Sequence, residues 1–511
     1  MRTTALLALL LLTGTASASF LSRLFVHEDE PCELGEDVVG GRVEPGADSV
    51  VVPARKKAWE AALGGEDAAR PFVRARLAGW PANVVVRGDA LPSGDREFVE
   101  RLARDTWRGL EAMTDGEHAL PVDHVRLGAT DADARVGDYT NVTTVGLRLI
   151  AIVAARELGY LDDERATRRI AALLDTLDGL ETHAGFFFNY YDTTSLERTS
   201  NLVSFVDSAW LGAGLIVVRN AFPALAPRAT ALLDRQDYRF FYDPARGRMS
   251  HGYWVHLGAR SRYHYGVLYA ESRLGSLIAI GKGDVPAAHW FRMTRTFAAS
   301  CGWQTERPVG RHRKTVEAET FAGGWYEWRG TRYVPSWGGS MFEALMPTLV
   351  LDERQLVPAS LGANDAAHVL VQRRYATEML GYPVWGMSPS ATPAGNGYGE
   401  YGVRVLGSLG YGAGAVTPHA AALALTIDPD AAIADLRALA TRFPAYTDWG
   451  FYDAVDPRSG AVARAYLSLD QAMAFISAAN WLTGGRIQAH FAADPIMQRA
   501  LPVVRAERFF D

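Results

Sequence analysis

TTVGLRLIAIVAAREL (143–158) and DERATRRIAALLDTLDGL (163–180) follow one another and demand different surroundings. In the first, Val145, Leu147, Leu149, Ile150, Ile152, Val153, Ala154 and Ala155 leave almost no polar face. A helix that is apolar all round is buried all round. In the second, Ile170, Leu173, Leu174 and Leu177 keep the i, i+3, i+4, i+7 rhythm, and Asp163, Arg165, Arg168, Arg169 and Asp175 fill much of the rest. That is a surface helix with one buried stripe.

The pairing recurs along the chain. Nearly apolar stretches at 202–220, 266–282, 340–351, 416–427 and 466–484 are each followed by a mixed or amphipathic one, at 224–236, 286–298, 364–380, 430–443 and 494–506. A further amphipathic segment, 96–113, precedes them all. Six buried helices alternating with six half-exposed ones predict an all-α fold, an (α/α)6 barrel or helical toroid with an inner and an outer ring. A solenoid is the competing architecture. It should repeat at constant length, whereas here the spacing runs from about 50 to about 76 residues and no motif recurs.

The 511 residues carry a net charge of −6, 48% hydrophobic and 22% charged residues. This is the composition of a globular chain with a substantial core. It leaves no basic footprint for nucleic acid. No apolar run is long enough to span a bilayer. Arg2, the apolar run Ala5–Leu12 and the small residues Ala16-Ser17-Ala18 together read as a secretory signal peptide cleaved after Ala18. The chain is thus expected to be secreted or periplasmic. Its expected parts are the signal at 1–18, an N-terminal arm or cap at 19–95, and the helical catalytic domain at 96–511, acting as a monomer. Cys32 and Cys301, the two cysteines, fit one bridge in an oxidising compartment and equally fit two buried thiols. No Cys or His cluster has zinc-ligand spacing, so neither metal nor cofactor is expected.

The loops that enter the buried helices are aromatic: Phe186–Tyr191, Tyr263 to Tyr265, Trp325 to Trp337, Trp385 to Tyr411, and Trp449 to Tyr452. Flat rings with polar edges suit the faces of sugars, and five such loops converging on one end of a toroid would wall a cleft. The predicted inner segments also carry isolated acids: Asp207, Glu271, Glu343 and Asp470. A carboxyl held in an apolar setting has a raised pKa, as a general acid working at neutral pH requires. Asp138, Asp192, Glu327, Glu400 and Asp453 are acids of the predicted mouth. For each single inner acid, a bond to Arg or to a backbone N–H is the plainer explanation, and for a mouth acid a turn or cap role stands level with a place in the site. The substrate-binding candidates are Tyr190, Asp192, Tyr265, Trp337, Glu343, Trp385, Glu400, Tyr401, His419, Trp449 and Asp470. The catalytic candidates are Glu271, Asp453 and Asp207. The partner these imply is an oligo- or polysaccharide. Helical toroids also host polysaccharide lyases, for which Tyr265, His264 or His251 would be the base, but no Lys/Arg cluster surrounds them.

Tyr269-Ala270-Glu271-Ser272-Arg273-Leu274, Ala279 to Pro286 and His289-Trp290-Phe291-Arg292 resemble the glucoamylase-like region of cyclic β-1,2-glucan synthases. So do Ser336 to Glu343 and Trp385-Gly386-Met387-Ser388. Gly450 to Asp453 and Tyr466 to Gln471 are similar to endo-β-1,2-glucanases as well. The resemblance covers roughly 138–500 and implies an (α/α)6 barrel, β-glucan chemistry and Glu271 as the acid. In the retaining synthases a second catalytic glutamate follows the Trp-Gly-x-Ser motif; Pro389 stands there in this chain. The inverting glucanases draw their base from an aspartate that matches Asp453. Three mechanisms stay open. One is an inverting hydrolase using Glu271 and Asp453, another is a retaining enzyme with a displaced nucleophile such as Glu400 or Asp207, and the third is a barrel that binds glycan without cleaving it.

Overall fold

A computed structural model describes residue 32 and residues 51–79, 90–128, 133–395 and 397–511. The expected signal peptide lies outside the described residues, as does most of the expected arm. The helices are α1 (Ala54–Ala62), α2 (Glu66–Ala75), α3 (Asp95–Ala112), α4 (Val142–Glu157), α5 (Asp163–Gly179), α6 (Phe205–Ala221), α7 (Ala226–Asp234), α8 (Arg273–Lys282) and α9 (Ala288–Arg292). After them come α10 (Met341–Leu345), α11 (Glu353–Leu356), α12 (Leu361–Arg374), α13 (Pro418–Leu423), α14 (Pro429–Arg442), α15 (Ser468–Thr483), α16 (Arg486–Ala492) and α17 (Pro495–Arg505).

Local chemistry starts these helices where the sequence places them. Asn141, Asp162, Ser204, Asp428 and Asp494 each cap the helix that follows by accepting a backbone N–H. Such caps satisfy donors that have no intrahelical partner. The apolar helices α4, α6 and α15 are buried almost throughout, and α5 buries only Ala166, Ile170, Leu173, Leu174 and Leu177, so the two classes read from the sequence are the two classes observed.

The apolar helices pack neighbour to neighbour. α4 lies on α6, α6 on α8, α10 on α13, α13 on α15, and α15 on α4. α8 reaches α10 through Arg273, which donates to the carbonyls of Glu343 and Ala344. Outside this series, α5 covers α4, α7 covers α6, α12 covers α10, α14 covers α13 and α3 covers α15. Gly146 and Gly214 let α4 and α6 touch backbone to backbone: a Cβ on Gly146 would stand 2.4 Å from the Trp210 carbonyl oxygen, and one on Gly214 would stand 2.5 Å from that of Gly146.

Several expectations are corrected. The outer position beside α8 belongs to α17, because 286–298 yields only the five-residue α9 before Thr294 bridges to Val267. The expected helix 266–282 begins only at Arg273, so Glu271 sits in the turn ahead of it. The expected helix 340–351 ends as α10, where Pro347 lacks the N–H that would continue it and a 3₁₀ turn follows. α16 was not expected. The fold is mostly helical but not purely so, since short antiparallel strand pairs stitch the loops at one end. Tyr139–Asn141 pairs with Tyr190–Asp192, Leu202–Ser204 with Gly252–Trp254, and His124–Arg126 with Ala465–Leu467. Each leads directly into an inner helix and fixes the angle at which that helix starts.

The arm is fastened to this body. Lys56 of α1 pairs with Asp138 (2.6 Å) and Asp192 (3.0 Å), Arg76 pairs with Asp115 (2.9 Å), and Cys32 is bridged to Cys301. Of the two readings the sequence left for the cysteines, the structure shows the bridge.

Candidate active site

The inner helices point their N-termini at common ground. Thr143 and Thr144 of α4, Val206 and Asp207 of α6, Phe342 of α10 and Leu469 of α15 all lie in the first turns of their helices and line one cavity of about 350 Å³. Glu271, two residues ahead of α8, joins them, and Asp123, His124, Arg126, Tyr139, Asn141 and Tyr190 complete the wall from the strand-paired loops. Helix N-termini carry free N–H groups and partial positive charge, so they are favourable neighbours for carboxylates.

Asp207 is held from two sides. Its amide donates to the Ser204 hydroxyl, and its Oδ1 accepts from Thr143 Oγ1 at 2.7 Å. Thr143 is in turn fixed by its amide, which donates to Asn141 Oδ1 at 2.7 Å. Asp123 faces the same cavity and is bonded to His124 Nδ1 at 2.8 Å.

Glu271 also lines a second cavity, of about 380 Å³, walled by His251, His264, Tyr265, Trp337, Glu343, Glu400 and Tyr411. It is therefore the acid at which the two spaces meet. Its carboxyl is pushed up to about 8, first by burial and then by the negative charge of Glu343, with Asp207 adding to it. It holds its proton at neutral pH. The Tyr265 ring lies 4.3 Å from His251, centre to centre, and its phenol is driven far above its ordinary range by burial and by the charges of Glu271 and Asp207. A phenol so hard to ionise is a poor candidate for a lyase base, which leaves His251 and His264 for that part.

Glu343 is a cap. Its carboxylate accepts from the amides of Gly338 (2.9 Å) and Ser340 (3.2 Å) and from Ser336 Oγ (3.0 Å), closing a reciprocal capping box with Ser340. It borders the second cavity, but its lone pairs are committed to the loop that carries Trp337. Asp192 likewise accepts from the amides of Thr194 and Ser195 and pairs with Lys56, while Glu327 pairs with Arg332 on the surface. Asp138 shares Lys56 with Asp192. None of Asp138, Asp192 or Glu327 lines either cavity.

Three expected aromatic contacts lie elsewhere too. Trp385 is buried with its amide donating to Asp435, Trp449 packs on Tyr466 and against Gly109 of α3, and Tyr401 lies over Gly399 and Gly414. Tyr190, Tyr265, Trp337 and Glu400 do face the cavities. His419, Asp453 and Asp470 are gathered together, but around a separate void of about 10 Å³. There Asp453 Oδ2 accepts from the Ala391 amide at 2.6 Å. Its carboxyl is raised to about 6 by burial, Asp470 is raised further by burial and the charge of Asp453, and burial lowers His419 to about 3, leaving it neutral. The pairing of Asp453 with Glu271 in a single pocket is thus not what the structure shows.

Sequence reading missed Asp123, His124, Arg126, Tyr139 and Asn141. They sit in a segment without periodicity, and strands of three residues are too short for their alternation to be read. The adjacency of an acid and a histidine at 123–124 was the available signal.

Solved structures described as putative glucoamylases and as endo-beta-1,2-glucanases share this fold. Residues 263–495 match the Glycoamylase family model, described as "Putative glucoamylase". The resemblance read from the Tyr269–Arg292 stretch is borne out. A Bacteroides fragilis protein of the same description superposes with a TM-score of 0.65 at 18% identity, over 82% of this chain and 98% of that one. The endo-beta-1,2-glucanase from Chitinophaga pinensis, solved with sophorotriose and glucose, does so at 0.61 and 16%, over 81% and 98%. In sequence, the cyclic beta-(1,2)-glucan synthase NdvB of Rhizobium meliloti (strain 1021) is 24% identical across 81% of this chain. The chain spans only 19% of that synthase.

Proposed function

We propose that the protein is an exported glycoside hydrolase with an (α/α)6 barrel that cleaves β-1,2-linked glucan, using Glu271 as general acid and Asp207 as base. The observation that carries the reading is the place of Glu271 at the meeting point of two ring-walled cavities, with its carboxyl pushed up to about 8. A glucan threaded through both places a glycosidic oxygen beside that carboxyl. Glu271 gives its proton to the departing oxygen as the C–O bond breaks. Asp207, facing the same cavity, holds a water and takes its proton as the new C–O bond forms on the other side of the sugar. This is inversion, and the carboxyls should then stand ~6.5–9.5 Å apart.

The linkage is suggested by the activities for which the similar glucanase and synthase are named. Pro389, where the retaining synthases keep a glutamate, favours hydrolysis over chain transfer. Export is supported by the N-terminal pattern and by the Cys32–Cys301 bridge, since disulfides persist in oxidising compartments.

The test is a product screen of β-1,2-, β-1,3- and α-linked glucans and envelope polysaccharides. New reducing ends from the β-1,2 polymer are expected. Binding with no new reducing ends on any polymer would leave a glycan-binding barrel instead. An unsaturated product absorbing in the ultraviolet would restore the lyase.

A further inference from the structure

His419 stands in the first turn of α13, Asp470 in the first turn of α15, and Asp453 in the loop ahead of α15. Their side chains converge on the small void, with one ligand atom from each lying within 4.8 Å of the others. His419 is 3% exposed, Asp470 2% and Asp453 1%. His419 Nδ1, Asp453 Oδ1 and Asp470 Oδ2 have no hydrogen-bond partner, which is costly at this depth.

Asp453 Oδ1 and Asp470 Oδ2 become acceptors once their carboxyls are deprotonated, as metal binding requires. His419 Nε2 faces Thr417 Oγ1 at 3.5 Å, and with the ring proton there, Nδ1 offers a lone pair to the void. With both carboxyls deprotonated, a cation satisfies all three atoms at once. The His419 Nδ1 to Asp470 Oδ2 separation is 3.4 Å. A tetrahedral ion with bonds of about 2.1 Å sets its ligands about 3.4 Å apart. The outer partners of a metal site are also in place: Thr417 on the far nitrogen of the imidazole and the Ala391 amide on Asp453 Oδ2. Two carboxylates and a neutral imidazole sum to a charge that a divalent ion cancels.

We propose that His419, Asp453 and Asp470 form a structural divalent-cation site of zinc type, which pins the start of α13 to the start of α15. One imidazole nitrogen and two carboxylate oxygens suit zinc, and a void with no room for substrate marks the site as structural. Spacing arguments miss it because the ligands come from three separate chain segments. The site does not depend on the hydrolase reading.

The full-length exported protein, purified from zinc-supplemented cells, should carry about one zinc per chain by mass spectrometry of the metal. After chelation, titration with Zn²⁺ should restore that stoichiometry and raise Tm by several degrees, since a ligand bound only by the native state stabilises it. His419→Gln and Asp470→Asn should each cut bound zinc to under about a tenth, by loss of one of three ligands. Wild-type protein that comes out metal-free and takes up no Zn²⁺, Mn²⁺ or Ca²⁺ on titration would overturn the proposal, whether or not the variants fold. A shared proton or a water would then occupy the void. Hydrolysis of glucan, measured in parallel, reports on the separate claim for Glu271.

Discussion

Two gatherings of carboxyls sit at the N-terminal ends of different inner helices, α6 and α8 for Asp207 and Glu271, α13 and α15 for the void that holds Asp453 and Asp470, and they differ in access. Around Glu271 and Asp207 the helices stand apart, leaving about 350 and 380 Å³ on either side of the acid. Around Asp453 and Asp470 they close to about 10 Å³. Burial raises the acids in both places. A perturbed carboxyl is therefore not by itself a catalytic one. What separates the two is room for a substrate and the aromatic wall to hold it, and only the Glu271 side has both.

That contrast can be broken by experiment. Glu271→Gln should reduce kcat on the digested glucan by about 10²–10⁴-fold, the usual worth of a positioned general acid, with oligosaccharide binding kept. Equal digestion by the variant would remove Glu271 from its role. Arg273 donates to the carbonyls of Ala270, Glu343 and Ala344 and to both carboxylate oxygens of Glu353, all fully enclosed. Arg273→Met leaves Glu353 buried and unpaired, so a loss of about 3–5 kcal/mol in denaturant unfolding is expected.

The pH dependence should show the raised Glu271 directly. Activity should fall as pH rises through about 8, by roughly tenfold per unit beyond it, as the acid loses its proton. Stability follows the same sign. The folded value lies above the ordinary 4.5, so the neutral carboxyl favours the native state at low pH, and that contribution fades between 4.5 and about 8. Glu271→Gln should accordingly gain on wild type in Tm as pH rises across that window. The smallest effect on catalysis is expected for Asp453→Asn: less than about tenfold in kcat, small beside the range of a general acid. A loss as large as that of Glu271→Gln would return Asp453 to the part of base.

The alternation of nearly all-apolar and striped helices was legible because burial on all sides leaves almost no polar face in stretches such as 143–158. Glu271 was legible as an acid among apolar neighbours, although its place in a turn rather than on α8 was not. Glu343 and Asp192 looked alike in sequence and proved to be a cap and a salt-bridge partner, since hydrogen-bond partners are set by folded geometry. Trp385 and Trp449 share their composition with the cavity rings yet pack into the core. Side-chain direction in irregular loops has no period to read. The Asp123–Asn141 wall was hidden for the same reason.

The most direct test of the account is a crystal structure of Glu271→Gln soaked with a β-1,2-gluco-oligosaccharide. Sugar units should occupy both cavities, with a glycosidic oxygen in hydrogen-bond reach of the residue 271 side chain. An oligosaccharide ordered elsewhere on the molecule, or lying in only one cavity with no linkage near residue 271, would contradict it.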